Sequence, residues 1–280
     1  MKSLKELLTE YKLSKKAIPA FNIDTFEIYQ AVEDVVRETG LPCIVQLSAG
    51  EDKFIQGERL FILVKKAQID GLPIYLNMDH GKDLSRLETM INLGFDMVHF
   101  DASAMEYETN LEATKNFIEN IKKNHPQVLI EAEFNKITLV DETISSNSFT
   151  DPTRALEFMT ATKADLLAVS IGNQHGVSTN LPEKINLDLL QKIFDKIPEN
   201  FITLHGGSGI GDAEISAAIK LGIVKININT DLRISFKQSL ASNLISIDSE
   251  KIYEYLNPVI GDLKEIIRKK LELFSSSSHV

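Results

Sequence analysis

Three of the six histidines in this 280-residue chain are followed at once by glycine, in "NMDHG" (77–81), "NQHG" (173–176) and "LHGG" (204–207). Each follows a short apolar run, so His80, His175 and His205 are delivered from comparable positions. Three neutral imidazoles with an open fourth position define a catalytic metal site, not a closed structural one. Any one of them alone reads more economically as a hydrogen-bonded loop residue; three at one rim do not. His99, inside "MVHFDA", reads as a core or supporting residue, and His125 in "KKNHPQ" as part of a solvated loop.

Asp79 precedes His80 directly. Beside a divalent cation it would stay ionised and could exchange a proton with a substrate hydroxyl. Its competing role is to orient a histidine, which Asp101 suits better. Glu131 and Glu133 fall on one face of a strand, and two inward carboxylates need a compensating cation. Glu133, nearer the rim, could reach the metal, whereas Glu131 could pair with Lys225. "LHGGSGI" (204–210) opens a helix, and backbone N–H groups at such a turn cradle phosphate, with the Ser208 hydroxyl adding a donor.

These residues need a frame that brings strand ends together. Eight apolar runs supply it: "AIPAFNI" (17–23), "CIVQLS" (43–48), "PIYLNMD" (73–79), "MVHFDA" (97–102), "VLIEAEF" (128–134), "LLAVSI" (166–171), "FITLHG" (201–206) and "VKININ" (224–229). Amphipathic helical stretches alternate with them, several closing on glycine. "FTDPTRALEFM" opens one, with Thr150 or Asp151 as N-cap and Pro152 in the first turn. The pattern predicts an α/β fold: one (β/α)8 TIM-barrel domain over residues 1–280, with the barrel at about 17–247 and a C-terminal helix at about 256–274.

Alternation along the strands supports closure. One set is apolar and would face the helices: Phe21, Val45, Leu47, Val98, Phe100, Ile130, Val169, Ile171, Leu204, Ile226 and Ile228. The opposite set is polar near the strand ends: Asn22, Gln46, Ser48, Asn77, Asp79, Asp101, Glu131, Glu133, Ser170, His205, Lys225, Asn227 and Asn229. Parallel sheets with intervening helices rarely leave a face wet, so these groups should converge on a barrel mouth.

Composition narrows the partners. A formal charge of −10 and a pI near 5.2 argue against nucleic acid and anionic membranes. The one cysteine, Cys43, lies in an apolar run and reads as a buried thiol. There is no signal-like h-region at the start and no membrane-length apolar run, which leads to the expectation of a cytoplasmic protein.

With its motifs in order, the chain resembles the class II, metal-dependent fructose-bisphosphate and tagatose-bisphosphate aldolases. The motifs are "DHG" (79–81), "FDAS" (100–103), "EAE" (131–133), "SIGNQHG" (170–176), "LHGGSG" (204–209) and "NTDLR" (229–233). The resemblance implies that His80, His175 and His205 hold catalytic Zn2+ and that Glu133 lines a neighbouring metal position. It makes Asp79 the acid/base for the aldehyde-derived hydroxyl, Ser48 a residue polarising the aldehyde carbonyl, and Asn227 the enediolate partner. Gly176, Gly207, Ser208, Asn229 and Thr230 would hold the phosphate of dihydroxyacetone phosphate, Asn22 joins the substrate-binding set, and Asp101 supports the ligands. Cobalt or iron would also suit imidazole ligands, and a monovalent cation is compatible. Homodimers or homotetramers are the expected assemblies.

Several departures bear on the substrate. The family's Gly-Gly pair after strand five is absent from "FNKITLVDETISSN", although Asp141 and Glu142 remain near the place of the proton-abstracting acid. Thr179 stands where a phosphate-binding lysine is common, and Asn77 where a histidine is. No arginine for a distal phosphate matches near "IDSEKIYEYLNP". The leading expectation is a zinc-dependent aldolase that reversibly cleaves a ketose bisphosphate, such as fructose 1,6-bisphosphate, into dihydroxyacetone phosphate and an aldehyde. Tagatose bisphosphate or a non-bisphosphate sugar would be the alternative substrates. A second reading is a sugar-phosphate-binding barrel that has lost catalysis. A barrel metallohydrolase ranks lower, because "PAFNID" lacks a histidine pair after strand one.

Overall fold

The computed structural model describes residues 2–140, 148–176 and 184–276. Asp141, Glu142, Thr179 and His279 lie outside the described residues. The eight apolar runs form β1 (Ile18–Asn22), β2 (Cys43–Leu47), β3 (Ile74–Gly81), β4 (Met97–Asp101), β5 (Leu129–Glu133), β6 (Leu166–Val169), β7 (Phe201–Leu204) and β8 (Ile223–Ile228). They pair in parallel in chain order, and β8 returns to β1, closing the barrel.

Eleven helices occur among the described residues: α1 (Leu4–Leu13), α2 (Phe26–Thr39), α3 (Ala49–Ile55), α4 (Gly57–Ile69), α5 (Leu84–Leu93), α6 (Tyr107–Asn124), α7 (Pro152–Thr162), α8 (Leu187–Lys196), α9 (Asp212–Lys220), α10 (Thr230–Ser246) and α11 (Ile252–Ser275). Local chemistry sets their limits. The Thr25 hydroxyl accepts from Ile28 N–H to start α2, and Gly40, at φ +69, stops it. Asp151 caps α7, with Pro152 at the first turn. No described helix is long and apolar enough to cross a membrane.

The two faces of the strands divide as their alternation predicts. All eleven outward residues named above join the core between strands and helices. Fully burying an aliphatic or aromatic side chain of this kind contributes roughly 1.5–3 kcal/mol. Inside the barrel, the N-terminal end is dry: Ile18, Ala20, Ile44, Tyr75, Met97, Leu129, Leu166, Phe201 and Val224 pack with Leu4, Leu7, Leu8 and Tyr11 of α1. That helix plugs the bottom, while the polar inward groups lie above it, Glu131 and Lys225 deepest and the histidines and Asp79 nearer the top. α11 returns to the starting strand, where Ala17 N–H donates to Phe274 O at 3.0 Å.

One irregularity shapes the site. The β3–β4 register shifts between Met78 and Gly81, and His80 within that bulge adopts φ +49. A left-handed residue other than glycine costs about 1–3 kcal/mol and persists only where its surroundings hold it. Bulges commonly re-aim a side chain in this way.

Candidate active site

His80 is held from two directions. Its backbone N–H donates to His99 Nδ1 at 3.3 Å, and its own Nδ1 meets Asp101 Oδ2 at 3.1 Å. His205, fully buried beyond β7, places Nε2 2.7 Å from Glu131 Oε1. With a carboxylate on each of these nitrogens, both imidazoles carry their proton there and turn the other nitrogen inward. His80 Nε2 and His205 Nδ1 then face each other at 2.9 Å. Two lone pairs at that distance repel unless a proton or a metal ion lies between them, so the donor set fits a cation.

The His175 ring completes the rim, its centroid 5.0 Å from that of His80 and 5.8 Å from that of His205. Its backbone is pinned to the segment after β5: His175 N–H donates to Thr138 O at 2.9 Å and Val140 N–H to His175 O at 3.2 Å. Among the described residues, two groups of potential ligand atoms lie within 4.8 Å of one another: Asp79, His80, His99 and His205, and His80, Asp101 and Glu133. His175 belongs to neither group, and Glu133 stands beside His80 without joining the group that holds His205.

Burial governs the protonation of this centre. It pushes His205 down to about 3 despite Glu131, and His175 down to about 4 with help from the neighbouring His80 charge. Burial opposes the charged form of His80 too, but Asp79 and Asp101 outweigh it and raise its pKa. Glu133 is pushed up to about 8 by burial. Its Oε1 accepts from Ile137 N–H at 3.3 Å, while Oε2 is buried with no hydrogen-bond partner among the described residues, 3.7 Å from His99 Nε2.

Asp79 sits in a cage of amides. Oδ2 accepts from Asn22 Nδ2 at 3.3 Å and Gln46 Nε2 at 3.2 Å, and Oδ1 from Asn227 Nδ2 at 3.1 Å. Lys225 Nζ fixes the last amide by donating to Asn227 Oδ1 at 2.8 Å, and pairs with Glu131 Oε2 at 3.0 Å. Burial would raise the Asp79 pKa, but His80, His99, His205 and Lys225 hold it well below the usual carboxylate range. Asp79 is therefore held ionised beside the histidine cluster. Glu131 pairs with Lys225 as the sequence implied, and it anchors His205 as well.

A cleft of about 100 Å³ over this centre is lined by Asn22, Ser48, Asp79, His80, His175, Gly176, Gly206, Ser208, Asn227, Asn229 and Thr230. Most of the residues expected to touch substrate are thus brought together. Gly207 is not: its N–H donates to Asn227 O at 3.0 Å, and its neighbour Gly206 takes the lining position. Gly206, at φ +65, has no room for a side chain, since a Cβ there would lie 2.0 Å from Gln174 O. Ser208 Oγ accepts from Asp231 N–H at 3.2 Å, leaving its own O–H to donate. A larger cavity of about 700 Å³ shares Ser48 and His80 with the cleft and extends along α3 and α5, past Lys53, Lys82 and Arg86. Arg86 is already held there by Asp52 and Glu58.

Sequence reasoning missed Glu51, a buried acid that contacts Asn22, Ser48 and Asn229. Its signal was present: "SAGE" (48–51) has the Ser-x-x-Glu spacing of a capping box, and Ser48 and Glu51 form one at the start of α3. His99 is fully buried, as a core or supporting residue should be, and its Nδ1 accepts the His80 N–H, a contact that depends on a bulge alternation does not reveal.

Imidazoles, an ionised aspartate and a glycine-rich turn gather at the C-terminal mouth of a closed parallel barrel, the face where barrel enzymes keep their active sites. The comparisons agree. Residues 2–279 match the family described as "Fructose-bisphosphate aldolase class-II", and the chain belongs to that family. It is 32% identical over 273 residues to the YdjI protein of Escherichia coli K12, covering 93% of this chain and 92% of that protein. It is 30% identical over 274 residues to a fructose-bisphosphate aldolase of Streptococcus pneumoniae, with the same coverage. The crystal structure of the YdjI aldolase from E. coli K12 superposes with a TM-score of 0.86 at 29% identity, covering 99% of this chain and 98% of that one.

Proposed function

We propose that this protein is a zinc-dependent aldolase that interconverts a ketose phosphate with dihydroxyacetone phosphate and an aldehyde, fructose 1,6-bisphosphate being the reference substrate. The observation that carries the reading is the 2.9 Å approach of His80 Nε2 to His205 Nδ1 beside an ionised, amide-caged Asp79. His80, His175 and His205 would hold the metal, with Glu133 at a neighbouring position. When bound, the metal supplies Lewis-acid polarisation of the ketone and stabilises the developing enediolate charge. Asp79 moves the proton of the aldehyde-derived hydroxyl as the C–C bond breaks or forms. Asn227, oriented by Lys225, donates toward the enediolate, and Ser48 polarises the aldehyde carbonyl. Ser208, Gly176 and Thr230 receive the phosphate. The proton-abstracting acid is assigned to the Asp141–Glu142 pair.

The larger cavity beyond Ser48 offers room for the aldehyde half. The test is condensation of dihydroxyacetone phosphate with a panel of aldehydes by zinc-loaded protein, with products identified by NMR. Turnover that EDTA abolishes and zinc restores is the expected result. Zinc-loaded protein that condenses no aldehyde would favour the reading of a barrel that binds sugar phosphates without catalysis.

A further inference from the structure

Glu51 accepts four donors. Asn22 Nδ2 at 2.9 Å and Ser48 N–H at 2.5 Å bind Oε2; Asn229 Nδ2 at 3.0 Å and the Arg233 guanidinium at 2.6 Å bind Oε1. Four donors on two oxygens match the capacity of an ionised carboxylate, which accepts only. A fixed acceptor settles which way an amide faces, a choice that coordinates alone leave open. Asn229 must present its nitrogen to Glu51, so its oxygen points elsewhere. That oxygen, Oδ1, is buried with no hydrogen-bond partner among the described residues, although Asn229 lines the same cleft as Asp79 and Ser208. An orphaned buried acceptor is unfavourable and calls for a donor from a ligand. A phosphate dianion brings none, whereas a hydroxyl does.

We propose that Glu51 is a positioning residue that turns Asn229 into a hydroxyl acceptor, so that Asn229 Oδ1 receives the O–H of the hydroxymethyl end of the bound ketone and not its phosphate. The phosphate is left to donors such as the free Ser208 O–H. This assignment rests on the aldolase reading above and departs from the phosphate role that family resemblance gives Asn229. The Glu51 carboxylate also holds Asn22, whose amide reaches Asp79, so a single acid outside the metal centre orients both sides of the cleft.

Two readouts at pH 8 separate the roles, using zinc-loaded wild type, Glu51→Gln, Asn229→Ala and Ser208→Ala with thermal melts to confirm folding. Calorimetry gives the affinity for inorganic phosphate, and deuterium exchange into dihydroxyacetone phosphate gives kcat and KM. Asn229→Ala and Glu51→Gln should each raise KM about tenfold, as expected for one lost hydrogen bond, and leave phosphate affinity within about twofold of wild type. Ser208→Ala should weaken phosphate several-fold. A loss of phosphate affinity in Asn229→Ala equal to that in Ser208→Ala would overturn the hydroxyl assignment. So would wild-type exchange that Asn229→Ala leaves unchanged. A raised KM in Asn229→Ala with none in Glu51→Gln would reduce Glu51 to the cap of α3, and Asn229→Ala keeps the test decisive if Glu51→Gln does not fold. Absence of exchange in the wild type would instead refute the underlying aldolase reading.

Discussion

Replacing Glu131 by Gln should expose how far the proposed metal centre depends on a buried charge below it. Glu131 is fully buried and accepts from His205 Nε2 at 2.7 Å and Thr203 Oγ1 at 2.9 Å, with Lys225 Nζ at 3.0 Å. Glutamine fills nearly the same volume and keeps one oxygen for His205 or Thr203. It leaves the Lys225 ammonium, itself fully buried, with Asn227 Oδ1 at 2.8 Å and without its direct ion-pair partner. Breaking a buried pair from one side costs about 3–5 kcal/mol. At roughly 2–4 °C per kcal/mol for a large domain, Tm should fall by roughly 6–20 °C. Losing the carboxylate behind His205, a proposed ligand, should also weaken zinc by about 10–100-fold. Scanning calorimetry of the apoprotein reads the first effect, and competition with a chromophoric chelator the second. The double variant Glu131→Gln/Lys225→Met removes the stranded charge, so it should regain most of the stability while zinc affinity stays low. A Tm and zinc affinity both unchanged in Glu131→Gln would refute the reasoning.

Three further outcomes follow from the same geometry. Despite burial, Asp79 and Asp101 raise the His80 pKa above its ordinary value while burial holds His175 and His205 near 4 and 3, so among the three histidines His80 is the one whose proton competes most with a metal. Zinc binding should therefore release protons and weaken as pH falls through the His80 value, as calorimetry in buffers of different ionisation enthalpy would record. The sign reverses for the apoprotein: the stability His80 contributes is fully present below its unfolded pKa and is lost as pH rises through the raised folded one. Asp79→Asn should keep zinc bound but lower cleavage of a ketose bisphosphate by about 10²–10⁴-fold, read as kcat against metal content. Gly206→Ala should lower Tm, because its Cβ would lie 2.0 Å from Gln174 O at φ +65; an unchanged melt would contradict the close approach of those two loops.

The barrel was legible because alternation is a strong signal when one set is apolar to the end of each strand, as Phe21, Val45 and Ile226 are, while Asn22, Gln46 and Asn227 alternate with them. The histidine triplet was legible because strand ends of a barrel meet at one rim. What remained hidden depends on single-residue geometry. Which of Gly206 and Gly207 lines the cleft is decided by the Gly207–Asn227 backbone bond, and two adjacent glycines look alike in a sequence. α3 is only seven residues long and carries Glu51 in its first turn, so the substrate-side role of that acid needed the three strand ends it touches. His99 reads as an inward residue in either case, and only the bulge at His80 turns its ring into a backbone acceptor.

The most direct test is proton–deuterium exchange at the reactive carbon of dihydroxyacetone phosphate, on zinc-loaded protein beside an EDTA-stripped control. It isolates the half-reaction and requires no knowledge of the aldehyde. Exchange that appears with zinc, disappears with EDTA and is abolished by His175→Ala is the predicted result. Zinc bound at one ion per chain with no exchange would contradict the account, and the shared barrel would then be evidence of ancestry alone.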